Sequence, residues 1–437
     1  MKILIKNGRL IDPKNNIDKN MDILILDDKI NKVAENINED ADKIIDANGM
    51  WVVPGLIDLH VHLREPGFEY KETIASGTRS AVMGGFTSIC CMPNTKPTTD
   101  NNIIIEYIKM KAEKEGVCNV LPIGSVTVEQ KGEKLADIGK MAQSGACALS
   151  EDGTSVLNSG IFKTALKYAK MFDLPMFSHC EDISLAGKGC MNAGDTATKL
   201  GLKGICNSSE DVIVARDILI ADEVGANLHI CHISTKGSVE LVKWAKESGK
   251  KVTAEVTPHH FTLIDEDITD YDANFKMNPP LRSKADRDAI IEGLKNNTIQ
   301  VIATDHAPHH IDEKNCEFQR ALNGIVGLET ALPLSITELV NKNILTPFNM
   351  IEKFTKNPAE ILGREDLGHL GIGANADIAI IDPNLKYKID KEQFLSKGKN
   401  TPFDKREVSG KVLYTIVNGK IVVENGKLRE ELNCDNR

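Results

Sequence analysis

Long apolar runs are missing from this 437-residue chain. None approaches the roughly twenty residues that a membrane-spanning helix needs, so no span is expected. The opening residues, M-K-I-L-I-K-N-G, lack the apolar core of a signal peptide, and a cytoplasmic protein is the expectation. Positive charge is in short supply: 53 Lys and Arg face 63 Asp and Glu, a net charge of −10. With a pI of about 5.7 the chain lacks the basic footprint of a nucleic-acid binder. Its ten cysteines include no C-x-x-C pair, and Cys90, Cys91, Cys180 and Cys231 sit in apolar strand-like runs. That scatter argues against an iron–sulfur or structural zinc site and for reduced, buried thiols. No G-x-G-x-x-G follows the first apolar strand of the central region, which argues against dinucleotide binding. Tandem repeats and low-complexity tracts are absent as well.

What is present is a large apolar share, 41% of residues, over a length that suggests two or three domains. The two ends resemble each other. Ile3–Ile5, Asp22–Leu26 and Lys43–Asp46 near the start, and Ala376–Ile381, Val412–Val417 and Lys420–Val423 near the end, are short strand-like segments between Asn, Asp, Gly and Pro. Asn418-Gly419 is a hairpin turn between the last two. Because chain termini often lie close together, both ends are expected to build one discontinuous β-sandwich domain, residues 1–52 with 367–437.

The middle, 53–366, alternates strand and helix. Strands are expected at Leu56–Leu63, Thr87–Met92, Asn119–Ser125, Ala146–Glu151, Pro175–Cys180, Asn227–Ile233, Lys251–Val256 and Ile299–Thr304. Segments of helical period lie between them, among them Asn101–Glu115, Ser159–Met171, Ser208–Val224 and Lys236–Glu247. Eight βα units in this span predict an α/β fold of the (β/α)₈ TIM-barrel type rather than an open doubly-wound sheet.

In such a barrel the chemistry sits at the carboxyl ends of the strands. Strand one ends in H-V-H. His60 and His62, two apart on a strand, point to one face about 6.5–7 Å apart and can converge on one metal ion. Asp58 shares that face by the same alternation. The later strand ends supply Asp152 in S-E-D-G, His179 in F-S-H-C, His232 in C-H-I-S, His259 and His260 in T-P-H-H, and Asp305, His306 and His309 in T-D-H-A-P-H. Alternation turns His229, three before His232, to the opposite face as a structural residue. Each alone has a plain alternative: Asp152 a turn residue, Asp305 a helix cap, a histidine a hydrogen-bonded strand end. Together at one rim they predict a metal site.

These motifs carry a resemblance. P-G-L-I-D-L-H-V-H with the late T-D-H-A-P-H resembles the amidohydrolase superfamily. H-V-H-L-R-E-P-G, M-P-N-T, S-E-D-G, F-S-H-C-E, C-H-I-S-T, E-V-T-P-H-H, M-N-P-P-L-R and G-L-E-T-A extend the likeness, over the whole chain, to bacterial dihydroorotases of the longer type. The resemblance implies a binuclear zinc site: His60, His62 and Asp305 on one ion, His179 and His232 on the other, Asp152 and a hydroxide bridging. Many relatives bridge with a carboxylated lysine; S-E-D-G has none, and some relatives hold a single zinc. Manganese or cobalt would suit the same donors. The implied activity is the reversible hydrolysis of the cyclic amide of L-dihydroorotate to N-carbamoyl-L-aspartate, a step of pyrimidine (UMP) synthesis. Asp305 would act as base and then acid. The substrate would meet His62, Arg64, Asn94, Asn278 and His309, with the backbone of Asn323-Gly324 against the ring. Arg64 offers a planar fork suited to a carboxylate.

Two rivals are kept. Allantoinases usually lack an arginine at the position of Arg64, and dihydropyrimidinases usually carry the bridging lysine. A catalytically dead scaffold subunit would have lost ligands, and all six are present. The resemblance also implies a homo-oligomer, with a dimer as one form, and admits aspartate transcarbamoylase as a partner. Residues 310–322 follow strand eight and read either as a lid over substrate or as an ordinary solvated loop.

Overall fold

The computed structural model describes residues 1–432; positions 433–437, the end of the expected β domain, lie outside the described residues. Eight short parallel strands form the centre: β1 (Leu56–Val61), β2 (Phe86–Cys91), β3 (Asn119–Ser125), β4 (Ala148–Ser150), β5 (Met176–Ser178), β6 (Leu228–Ile230), β7 (Val252–Val256) and β8 (Val301–Ile302). They pair in sequence order. β1 and β2 are buried at every position, as strands covered on both faces must be. The barrel closes where Val61 bridges His306 in parallel and the His62 N–H donates to the His306 carbonyl at 2.8 Å.

Helices cover the outside, among them Ile74–Met83, Asn102–Glu115, Ser159–Lys170, Ser208–Val224, Lys236–Glu247 and Lys284–Lys295. Several begin on a side-chain cap that satisfies otherwise unpaired N–H groups: Thr73, Asn101, Asn158, Thr235 and Ser283 each accept from the first helical turn. Ile57, Leu59, Cys90, Ile123, Ala148, Phe177 and Val301 fill the barrel, and a separate, larger cluster lies between strands and helices.

Both chain ends meet in a second sheet. Trp51–Pro54 pairs antiparallel with Ile378–Lys388, joining strands from the first 54 residues to those ending at Leu428 in one nine-stranded sheet. Lys2–Asp12 pairs in parallel with Lys43–Asp46 along its first half and with Trp51–Pro54 along its second; its register with Ile17–Leu26 slips between Ile5 and Gly8. Ile3, Ile23, Ile30, Ile45, Ile378 and Ile416, drawn from across that sheet, share one core cluster. In place of two packed sheets, the strands of both ends form one sheet with its own core cluster. The Asn418-Gly419 turn has φ of 48° and 74°, the positive pair that a two-residue hairpin of this hand requires.

Candidate active site at the carboxyl rim

The expected alternation breaks twice, and both breaks shape the rim. Pairing of β1 with β2 loses register between Asp58 and Val61. Ile57 and Leu59 therefore point into the barrel below, while Val61 and Leu63 join the outer cluster. Asp58 does not share the face of His60 and His62. It accepts from Thr304 N–H (3.1 Å), Thr304 Oγ1 (2.6 Å) and His60 N–H (3.1 Å), tying β1 to the end of β8. At β6 the chain leaves strand geometry at His232, φ 29°. His229 is consequently not turned away: it stacks near Phe177 inside the barrel, ring centroids 4.8 Å apart, and bonds Glu255 at 3.0 Å.

Above this layer six side chains converge. His60 Nε2 lies 3.3 Å from Asp152 Oδ1 and 3.6 Å from Asp305 Oδ1. His62 Nε2 lies 3.1 Å from Asp305 Oδ1 and 3.4 Å from Asp152 Oδ2. His179 Nδ1 and His232 Nε2 are 3.0 Å apart, each 3.5 Å from Asp152 Oδ1. All six residues are at most 6% exposed. Asp305, like Arg64 and His232, adopts a positive φ, 47°, a conformation rare outside glycine that re-aims the chain at the strand end.

The atoms fit a metal. Donors bonded tetrahedrally at about 2.0–2.1 Å stand roughly 3.3–3.4 Å from one another, the spacing seen here. Two of the atoms that face the cluster, His60 Nε2 and Asp152 Oδ1, are buried without a hydrogen-bond partner. Two of the imidazoles are also set in the right tautomer. His60 Nδ1 donates to Glu255 Oε1 at 2.7 Å and His62 Nδ1 donates to Asn94 Oδ1 at 2.9 Å, which leaves each Nε2 lone pair facing the cluster. Burial opposes charge on Asp305, yet the neighbouring imidazoles of His62 and His60 hold it below the usual carboxylate range. Asp152 is held low by His60, His179 and His232. Glu255 is lowered to about 2 by His60 and His229 against its own burial.

A cavity of about 230 Å³ opens on this cluster, lined by His62, Arg64, Asn94, Asp152, Asn278 and Asp305, with His309, Asn323 and Gly324 opposite. At roughly 30 Å³ per water that is the volume of about eight waters, the scale of a small-molecule site. Larger cavities exist, one of about 680 Å³ between Tyr387 and Leu428, but that one gathers no comparable donor set. The Arg64 Nε donates to the Pro308 carbonyl at 3.2 Å. Arg64 makes no ion pair among the described residues, so the rest of its guanidinium is open to the cavity. His309 Nε2 donates to the Asn323 carbonyl at 2.8 Å; its buried Nδ1 lies 3.4 Å from Glu313 Oε2 without hydrogen-bond geometry. His259, His260, His306 and Arg282 lie outside the cavity lining. His260 bonds Thr257 and Pro279, His306 bonds Glu72 and the Gly327 N–H, and Arg282 bonds Ser234, Asn192 and Ile205.

Two further residues support the site. Glu255 carries a sequence signal, a lone carboxylate inside the apolar strand β7 that needs a buried partner, but not the identity of that partner. Asn400, far along the chain, accepts from the His309 N–H (3.0 Å) and donates to the Ala307 and Gly324 carbonyls (both 3.0 Å). Nothing in its local sequence marks it.

The fold is shared. An L-hydantoinase (dihydropyrimidinase) from Arthrobacter aurescens superposes with a TM-score of 0.88 at 27% identity, covering 98% of this chain and 97% of that one. A dihydropyrimidinase from Brevibacillus agri gives 0.86 at 22% identity, over 98% and 96% of the two chains. Residues 319–423 match the Amidohydrolase family. Barrel, rim and likeness together define a metal-dependent cyclic amidohydrolase. Residues 49–238 match the family described as Dihydro-orotase-like. Dihydroorotases from Acetivibrio thermocellus and Pelotomaculum thermopropionicum are 50% and 51% identical, over 96% and 98% of this chain and 99% and 100% of theirs. The chain belongs to the dihydroorotase family.

Proposed function

We propose that the protein interconverts L-dihydroorotate and N-carbamoyl-L-aspartate, in pyrimidine synthesis in the cytoplasm, using two zinc ions. His60, His62 and Asp305 would hold one, His179 and His232 the other, with Asp152 between. Such ions lower the pKa of water from 15.7 towards about 7 and polarise a carbonyl. The homo-oligomer implied by the resemblance belongs to the same proposal.

The remaining work falls to side chains. Arg64 and Asn94 grip the ring carboxylate, with His309 as a third donor once the bound carboxylate draws a proton onto its Nδ1. Asn278 and the Asn323-Gly324 backbone flank the ring, which presents its amide carbonyl to Asp152 and Asp305. Asp305 takes the proton of the attacking water as oxygen adds to the carbonyl carbon. The ring C–N bond then breaks, Asp305 returns the proton to the departing ureido nitrogen, and the new carboxyl group gives up the second proton of the water to solvent and remains as a carboxylate. Run backwards, the same groups close the ring.

The observation that carries this reading is Arg64: a guanidinium without an ion pair, facing the same small cavity as the six ligand-type side chains. It favours a substrate with a carboxylate over the uncharged rings of allantoin or dihydrouracil. The test is turnover of dihydroorotate, allantoin and dihydrouracil by the zinc-loaded protein. Dihydroorotate is expected to be preferred; preference for either of the others refutes the proposal.

A further inference from the structure

The sequence leaves residues 310–322 open between a lid and a solvated loop. Two buried lysines decide between them. Lys314, 6% exposed, donates from Nζ to the carbonyls of Leu322 (2.9 Å), Gly324 (3.0 Å) and Lys276 (3.1 Å). Lys276, also 6% exposed, donates from Nζ to the carbonyls of Gln319 (3.0 Å) and Ala321 (2.6 Å). The Gly324 N–H returns to the Lys276 carbonyl at 3.0 Å, and the Leu322 N–H to Glu313 at 3.2 Å. Phe318 and Ala321, each 2% exposed, anchor the same stretch, Phe318 in a cluster with Met277 and Leu281.

Neither ammonium forms an ion pair among the described residues; their partners are backbone carbonyls. Burial and the charge of Lys276 push Lys314 down to about 7, against Asp272 and Cys316, and burial lowers Lys276 too. Buried charge of this kind is tolerable only while its hydrogen bonds stay made. Swinging residues 319–324 away would strip both ammoniums of nearly all their acceptors at once. What they hold matters for the cavity. Asn323 supplies the carbonyl that fixes the His309 imidazole. Gly324, at φ 128°, sits where a Cβ would meet the Ala307 Cβ at 2.6 Å.

We infer that Lys314 and Lys276 are positioning residues that pin Asn323-Gly324 as a fixed wall of the substrate cavity, so that the ring meets a preformed edge instead of a closing lid. The kinetic part of this inference rests on the dihydroorotate reading; the structural part does not.

The test is amide hydrogen exchange over 315–324 in the metal-loaded protein, with and without dihydroorotate, for wild type and Lys314→Met, alongside steady-state kinetics and metal content. In wild type, residues 321–324 are expected to exchange slowly without substrate and to change less than threefold when it is added. In Lys314→Met their exchange should rise at least tenfold. Its KM should rise about tenfold with kcat within threefold and metal content unchanged, a split that general unfolding would not give. A wild-type segment that exchanges freely and becomes protected only by substrate would overturn the inference, whatever the variant does. So would a folded Lys314→Met with unaltered exchange and KM. Failure of wild type to turn over dihydroorotate would remove the function reading, while the ligand-free exchange would still decide the wall.

Discussion

At the scale of single residues, the site is a matter of where protons sit. Glu255 and Asn94 each occupy one imidazole nitrogen and so free the other for a cation. Glu255→Gln should keep the shape but weaken the hold on His60, with metal affinity falling about 10–100-fold. Competition with a chelator would measure it, and wild-type retention would show that Glu255 does not tune the site. Asp305→Ala removes a ligand and the proton carrier together; turnover should drop by at least about 10³-fold with the circular dichroism unchanged. Near-normal activity in that variant ends the role given to Asp305. Arg64→Ala should act mainly on binding. A charged hydrogen bond is worth about 1.5–3 kcal/mol, so KM should rise roughly 10- to 150-fold with kcat much less affected. An unchanged KM would place the substrate carboxylate elsewhere.

At the scale of elements, the barrel was readable because βα alternation and strand-end chemistry are local signals. All eight strands were placed within a few residues, and Asn119–Ser125 matches at both ends. The structure trims several others: Ile299–Thr304 becomes Val301–Ile302, because the chain turns out of the sheet toward Asp305, φ 47°. The convergence of these six side chains was legible because histidine and aspartate are costly at buried strand ends without a partner. What alternation could not supply was the face of residues beside an irregularity. Asp58 and His229 were misplaced because the β1 register slip and the positive φ at His232 break the period of two. Glu255 and Asn400 escaped for a different reason: their partners are distant in sequence, His60 being 195 residues from Glu255.

At the scale of the whole molecule, the nine-stranded sheet and the barrel are joined by a buried carboxyl. Asp377, 7% exposed, accepts from the Asn418 N–H at 2.7 Å, in the terminal hairpin, and from Asn119 Nδ2 at 3.2 Å, on β3. Burial raises its pKa from 3.8 to about 6 against those hydrogen bonds. A raised folded-state pKa means that the folded protein binds this proton more tightly than the unfolded chain. The associated stability is full below about pH 4 and is lost as pH rises through about 6. At about 1.36 kcal/mol per unit the difference is at most about 3 kcal/mol. Denaturant unfolding at pH 4 to 7 should show this loss in wild type and not in Asp377→Asn; parallel profiles would contradict it.

The central claim is that side chains from β1, β4, β5, β6 and β8 gather two cations into one pocket. Anomalous diffraction at the zinc edge from crystals of the zinc-loaded protein tests it most directly. The account predicts two peaks, one about 2.0–2.1 Å from His60 and His62 nitrogens beside Asp305, the other the same distance from His179 and His232, with Asp152 between them. A pocket without a peak, or zinc bound by other residues, would contradict it.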